Sequence, residues 1–268
     1  IHPGIFMPVE TELWPNFLRA IRERHIPVMM VNGRISEKSV KTYRYLYGIW
    51  DDMLSTVSRF CMQSSIDADY ISSLGADQNK IFVTGNTKFD QTYAEVTQED
   101  YARYKEELGL ENCYPIVMAG STHPGEEKAL FDAFKKIREK YADARLVIAP
   151  RKTARADEIA KLAASYGYET GYRSKMLENP ALRKPNPVVL LDTIGELGRI
   201  YAVGDVVFVG GSLSKTGGHN VLEPAAHAKP IVVGPNMQNF KDSYSLLSKV
   251  GACKMVNNTI ELANEMLD

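Results

Sequence analysis

Apolar residues in this chain come in short continuous runs, separated by longer stretches where they recur every three or four positions. The runs are Ile5–Met7, Pro27–Val31, Phe60–Gln63, Ile81–Thr84, Ile116–Ala119, Arg145–Ala149, Val188–Leu191, Val206–Val209 and Ile231–Val233. Most are closed by Gly, Asn, Pro or Asp. Runs that stay apolar instead of alternating belong to strands buried on both faces, the condition of parallel sheets. Between them Leu13–Arg24, Ser39–Val57, Gly125–Tyr141 and Ala154–Tyr166 carry the helical period. Strand–helix–strand alternation predicts a doubly wound α/β architecture.

The pattern also predicts a boundary. Gly85-Asn86-Thr87-Lys88-Phe89-Asp90 follows a strand, a charged segment Glu95–Glu111 comes next, and a fresh apolar strand opens at Ile116. The expected division is therefore residues 1–96, an incomplete Rossmann-like N-terminal domain, and residues 97–268. The second part holds five strand runs in order, enough for a whole Rossmann-like unit.

Composition narrows the class. The 268 residues are 44% hydrophobic and 24% charged, with a formal net charge of −1. That is an ordinary globular balance, and it excludes disorder, collagen-like repeats and a disulfide scaffold. It also argues against a globally basic nucleic-acid binder. Cys61, Cys113 and Cys253 lie far apart without zinc or redox spacing, as buried thiols in a reducing compartment would. No run approaches the roughly 18 apolar residues of a membrane helix. The chain opens at Ile1 and enters an apolar stretch at once, so sequence preceding residue 1 is expected. The near-zero net charge hides a basic run: Arg19, Arg22, Arg24, Arg34, Lys38, Lys41 and Arg44 against Glu23 and Glu37. Such a run suits a solvated helix face, an anionic acceptor or a membrane surface. Trp14 and Phe17 beside it could be core or could face lipid.

Four stretches carry candidate chemistry. Gly210-Gly211-Ser212 ends the run Val206–Val209, and Gly217-Gly218-His219-Asn220-Val221-Leu222-Glu223-Pro224 follows. Glycines let backbone N–H groups approach a ligand, and a helix start near His219 would favour an anion. This reads as a phosphate cradle with Ser212, Gly218, His219 and Asn220 nearest, and with Glu223 placed to accept from ribose hydroxyls. A tight turn with a helix cap explains the same residues, and spacing alone leaves both readings open. Asp192-Thr193-Ile194-Gly195-Glu196-Leu197 follows another strand; it is a capping box by pattern and a crevice loop by position.

Ala119-Gly120-Ser121-Thr122-His123-Pro124-Gly125-Glu126-Glu127 offers Ser121 and Thr122 as caps, two acids for the helix dipole, and His123 as a possible ligand group. Ala149-Pro150-Arg151 adds a cation suited to phosphate. In the first part, Glu10-Thr11-Glu12-Leu13-Trp14-Pro15-Asn16 and Asn32-Gly33-Arg34-Ile35-Ser36 both follow strands.

Taken in order, these stretches resemble the Kdo transferases, which attach 3-deoxy-D-manno-octulosonic acid (Kdo) to the lipid A precursor. The matching pieces run from Glu10–Asn16 through Asn32–Ser36, Gly85–Asp90, Gly120–Glu127, Ala149–Arg151, Leu191–Leu197, Gly210–Ser212 and Gly217–Pro224 to Gly234-Pro235 and Asn239-Phe240. The resemblance implies a GT-B glycosyltransferase, an α/β fold of two Rossmann-like domains facing a cleft. It implies a donor half binding CMP-Kdo through Ser121, Thr122, His123, Arg151, Asp192, Thr193, Gly195, Glu196, Gly211, Ser212, Gly218, His219, Asn220 and Glu223. It implies an acceptor half, with Glu12, Arg34 and Ser36 on the acceptor side, for the lipid A precursor (lipid IVA). It also implies inversion without metal or cofactor, no nucleic-acid partner, and a peripheral place on the cytoplasmic face of the bacterial inner membrane for the native protein, this stretch itself being soluble.

Family members are longer at both ends. Their membrane-anchoring segment and the Gly-rich loop with a Glu thought to be the catalytic base would precede Ile1, and their terminal helices would follow Asp268. Glu12 is an acidic candidate but not the expected base. Two other readings remain: a UDP-sugar 2-epimerase of similar fold, and a non-catalytic nucleotide-binding module.

Overall fold

The structure is a computed structural model that describes residues 3–43, 48–90, 93 and 95–267. Arg44, the last of the basic run, lies outside the described residues, as do Ile1 and Asp268. The chain divides into two compact units, Ile1–Thr92 and Tyr93–Asp268. The division falls a few residues before the expected 97, because Val96 already packs with the core of the second unit.

The first unit is a three-stranded parallel sheet of β1 (Val28–Gly33), β2 (Val57–Met62) and β3 (Ile81–Val83), in that order. The run Ile5–Met7 does not become a full strand. It joins β1 through isolated bridges Phe6↔Val28 and Val9↔Val31. Pro8 lies between them without an N–H to donate, and its carbonyl accepts from Val31 N. The helix Pro15–Glu23 starts with proline, whose fixed φ suits the first turn, and buries Leu18 and Ile21. They pack with Val28, Met30, Phe60 and Met62.

The second unit is a seven-stranded parallel sheet. Its strands are β4 (Ile116–Thr122), β5 (Arg145–Pro150), β6 (Thr170–Tyr172), β7 (Val188–Leu190), β8 (Val206–Val209), β9 (Ile231–Val233) and β10 (Cys253–Met255). Their spatial order is β10-β9-β8-β4-β5-β7-β6. The predicted five strands are all present; β6 and β10 were not anticipated, being three residues each and broken by polar or glycine positions.

The continuous apolar runs have a direct consequence here. Val117, Ala119, Leu146, Ile148, Val206 and Phe208 fill the core on one face. Their alternating neighbours Ile116, Met118, Val147, Ala149, Val207 and Val209 fill the core on the other. At about 1.5–3 kcal/mol per fully buried aliphatic side chain, burial on both faces is what holds this sheet between its helices. The helices Glu126–Lys140 and Thr259–Glu265 share one of those faces: Leu130, Phe134 and Ile137 of the first pack with Leu262 and Ala263 of the second.

Strand order positions the site. β4 leads through the helix Glu126–Lys140 to β5 on one side, while β8 pairs with β4 on the other. The direction of winding reverses between β4 and β8. In open α/β sheets such a switch point leaves a crevice outside the carboxyl ends of the strands. The loops that leave those ends are 123–125 and 210–221.

Candidate functional site

The two switch-point loops are tied together by a carboxylate. Glu126, almost fully buried, is the first residue of its helix. Its Oε2 accepts from His123 N (2.8 Å) and Gly211 N (2.8 Å); its Oε1 accepts from Leu213 N (2.9 Å) and Ser214 N (3.1 Å). The dipole role expected for Glu126 is thus the lesser part: it is a clamp on the glycine loop. Glu127 beside it accepts from Thr122 Oγ1 (2.8 Å) and takes Arg155 in a two-pronged ion pair (2.7 and 3.2 Å). Thr122 is therefore engaged within the framework.

Close backbone approach explains the glycines. A Cβ on Gly210 would lie 2.4 Å from Ser121 O, and one on Gly120 would lie 1.9 Å from the Tyr201 hydroxyl. Gly211, Gly217 and Gly218 all have positive φ, the region that costs a side chain most.

Within the expected cradle of Ser212, Gly218, His219 and Asn220, several polar groups are already engaged by the protein itself. Glu126 takes the N–H groups of Gly211, Leu213 and Ser214, and Gly218 N donates to Gly211 O. Ser212 is fully buried, its hydroxyl donating to Val209 O (2.5 Å) and accepting from Gly234 N (2.8 Å). These bonds build the loop. Among the described residues, no acceptor engages the N–H groups of His219, Asn220 and Val221. The open backbone donors thus sit further along the same loop.

The helix expected near His219 begins at Leu222 and is four residues long. Such a helix is too short to sum much of a macrodipole. Pro224 inside it has no N–H to continue the ladder. Asn220 serves as its local cap, with Oδ1 accepting from Leu222 N (3.0 Å), while Nδ2 donates to Glu223 Oε1 (3.2 Å) and Tyr93 Oη (3.3 Å).

Titratable groups gather around the open donors. His123 Nε2 and His219 Nε2 lie 2.8 Å apart, with the rings nearly parallel. Burial, His123 and then Arg151 push the His219 ring down to about 4. Burial lifts Glu223 above its ordinary value, against the pull of Asn220 and Arg151. Burial also raises the Tyr93 hydroxyl. Arg151 is exposed, and among the described residues no side-chain hydrogen bond or ion pair holds its guanidinium. The Ser121 hydroxyl is likewise unengaged, on a residue with φ of 54°.

The loop after β7 is organised by a residue the sequence did not single out. Arg173, 2% exposed, donates to Glu196 Oε1 (2.9 Å) and Glu107 Oε2 (2.7 Å). Thr193 Oγ1 donates to Glu196 Oε2 (2.6 Å), so the predicted capping box does not form; Glu196 itself stands at the N-cap of the helix Leu197–Ile200. Burial would raise the Glu196 carboxyl, but hydrogen bonds from Arg173 and Thr193 outweigh it and hold it low. Asp192 accepts from Ser174 N (2.8 Å) and Oγ (2.5 Å). Asp192 and Glu196 are thus held by bonds to neighbouring residues, whereas Ile194 stands 88% exposed at the tip beside Gly195, whose φ is 93°. Nothing in the local sequence marks Arg173, because its partners come from distant segments.

In the first unit, Asn32 is buried at the end of β1. Its Oδ1 accepts from Thr87 N (3.1 Å), its carbonyl accepts from Gln63 Nε2 (2.9 Å), and Gln63 Oε1 accepts from Asn86 Nδ2 (3.0 Å). This joins the Asn32-Gly33 and Gly85-Asn86-Thr87 motifs at one sheet end. Ser36 accepts from Ser39 N (3.0 Å) and shares a hydroxyl contact with it. Arg34 is half-buried, and Glu12 accepts from Trp14 Nε1 (2.6 Å). Trp14 and Phe17 are exposed, and Phe17 meets Phe6 edge-on. Among the described residues no three His, Cys, Asp or Glu gather to hold a metal, and no helix is long and apolar enough to cross a membrane.

A parallel sheet in the order β10-β9-β8-β4-β5-β7-β6, with its switch point between β4 and β8, defines a Rossmann-like α/β unit, and the solved structures it resembles are of the GT-B-like kind. The UDP-GlcNAc 2-epimerase of Methanocaldococcus jannaschii shares this fold, with a TM-score of 0.56, 14% identity and coverage of 99% of this chain and 70% of that one. The C-terminal CMP-Kdo binding domain of WaaA from Acinetobacter baumannii matches at 30% identity and a TM-score of 0.56, over 63% of this chain and 86% of that domain.

The family model for 3-deoxy-D-manno-octulosonic-acid transferase (kdotransferase) matches residues 1–91. The 3-deoxy-D-manno-octulosonic acid transferase of Haemophilus influenzae is 32% identical over 97% of this chain and 60% of its own length. A bifunctional glycosyltransferase/methyltransferase of Fusobacterium nucleatum is 35% identical over 87% of this chain and 36% of its own length. The chain belongs to the Kdo transferase family. It spans from about a third to three fifths of the length of these two curated relatives.

Proposed function

We propose that the second unit binds the nucleotide of CMP-Kdo, and that the protein to which this chain belongs transfers Kdo to the lipid A precursor lipid IVA. The observation that carries the reading is the convergence of Arg151, His219 and Glu223 at the switch point of a chain from this family. In it, the guanidinium of Arg151 and the N–H groups of His219–Val221 hold the phosphate. Ser121 and His123 lie at the same strand end. Glu223 accepts from the ribose hydroxyls, and the open backbone of Thr193–Gly195 meets the base. Glu12, Arg34 and Ser36 serve the acceptor side. Transfer proceeds with inversion, without metal or cofactor: an acceptor hydroxyl loses its proton to a base, the new glycosidic bond forms, and CMP leaves with the bonding electrons. Arg151 and the N–H groups stabilise that leaving charge as preorganised donors. The native protein works at the cytoplasmic face of the inner membrane.

Calorimetric titration of this chain with CMP, beside UDP as competitor, tests the assignment. CMP binding that weakens at least tenfold in Arg151→Ala and in Glu223→Gln is expected. Preference for UDP would favour the epimerase reading; no nucleotide binding would overturn the proposal. Kdo transfer from CMP-Kdo to lipid IVA by the full-length protein, with the anomeric product read by NMR, tests the activity and the inversion. A chelator that abolished transfer would overturn metal independence.

A further inference from the structure

The His123–His219 contact has a property that simple anion binding does not require. Two Nε2 atoms 2.8 Å apart leave room for one hydrogen between them. Two imidazolium rings would point N–H at N–H, so the pair holds at most one positive charge, on rings that share a bridging proton. The groups facing it come from each packed element. Glu126, on the helix after β4, has both oxygens engaged by backbone N–H groups. Arg151, after β5, is a cation and opposes a second positive charge. Glu223, beyond the loop, is drawn to Arg151 and Asn220. Among the described residues no carboxylate hydrogen-bonds either ring. An anion placed against His219 N and Arg151 would supply the counter-charge that the pair lacks.

We propose that the His123–His219 pair takes up one proton when a phosphate binds at the switch point, and so favours the doubly charged phosphomonoester of the product, CMP, over the singly charged phosphodiester group of the donor. This rests on the nucleotide site proposed above. The proton comes from solvent and resides on the pair, whose two rings then carry one charge with the bridging hydrogen retained. A dianion repays that protonation more than a monoanion does, by Coulomb's law. The sign is fixed: burial and neighbouring positive charge hold His219 below its ordinary value, and a bound anion opposes that shift. Affinity for CMP therefore rises as pH falls, by up to about tenfold per pH unit for one proton. Release of product is favoured as pH rises.

The test is calorimetry of this chain with CMP at pH 7.5, in two buffers of different ionisation enthalpy, alongside the methyl ester of CMP as the singly charged probe. Net proton uptake is expected for CMP and less for the ester. His219→Asn and His123→Asn should each abolish the uptake and weaken CMP more than the ester. Imidazole 15N spectra of the wild-type chain report the protonation directly, so a variant that fails to fold does not stop the test. CMP binding without proton uptake would overturn this inference and leave the nucleotide site standing. Uptake that persists undiminished in both variants would place the proton on the phosphate or Glu223 and overturn it as well. Failure of CMP to bind at all would overturn the nucleotide site, and this inference with it.

Discussion

Replacing Glu126 by Gln perturbs the clamp most directly. The carboxylate accepts four backbone hydrogen bonds, from His123, Gly211, Leu213 and Ser214. An amide can satisfy two of them through its carbonyl oxygen, but it turns an NH2 donor toward the other two N–H groups. Hydrogen bonds to charged groups contribute roughly 1.5–3 kcal/mol each. Losing two therefore costs on the order of 3–6 kcal/mol, before the donor–donor repulsion is counted. For a unit of this size, about 1 kcal/mol lowers the Tm by roughly 2–4 °C, so even the low end lowers it by roughly 6–12 °C. Differential scanning calorimetry measures the shift, and amide hydrogen exchange should show Gly211, Leu213 and Ser214 losing protection first. A Tm within about 2 °C of wild type, with those amides still protected, would refute the clamp.

Three further outcomes follow from the same geometry. Arg173→Met removes the cation that Glu107 and Glu196 share, leaving Glu107 only the 4.0 Å contact with Arg103 and Glu196 only the Thr193 hydroxyl; a loss of roughly 3 kcal/mol is expected in urea unfolding, because breaking a buried pair from one side is costly. Gly120→Ala drives a methyl into the Tyr201 hydroxyl, and overpacking of about 1–3 kcal/mol should appear as a lower Tm. His219 sits at about 4 in the fold against 6.5 unperturbed, so its contribution to stability is intact above pH 6.5 and drains away as pH falls toward 4. With the ring partly exposed, roughly 1–2 kcal/mol is expected, and His219→Asn should flatten the unfolding midpoint across that window. Glu223, raised by burial, works in the opposite direction, so Glu223→Gln should stabilise the unit at pH 8 and do so less at pH 5.

Much of the framework was legible because it follows from local periodicity. Val206–Val209 and Ile231–Val233 are strands over the predicted residues, since a run buried on both faces needs no distant information to be apolar throughout. The helix predicted for Gly125–Tyr141 forms at Glu126–Lys140. β6 and β10 escaped detection because edge strands of three residues carry too little apolar character to stand out. The motif loops were legible as loops, but the bonds inside them were not. The Ser212 hydroxyl is taken by Val209 and Gly234, and the Asn220 side chain by Leu222, Glu223 and Tyr93.

The amino-acid sequence by itself determined the parallel α/β class, the existence of two units and the family, because each is encoded in residues close together or in their order along the chain. The tertiary structure alone decided which polar groups are still open. Glu126 meets Gly211 across 85 positions of sequence, and His123 meets His219 across 96. Such pairs exist only because β8 inserts beside β4 and brings two loops to one crevice. Every backbone N–H carries the same donor in the sequence. Whether it meets a buried carboxylate, as Gly211, Leu213 and Ser214 do, or is left without an acceptor, as at His219–Val221, depends on strand order.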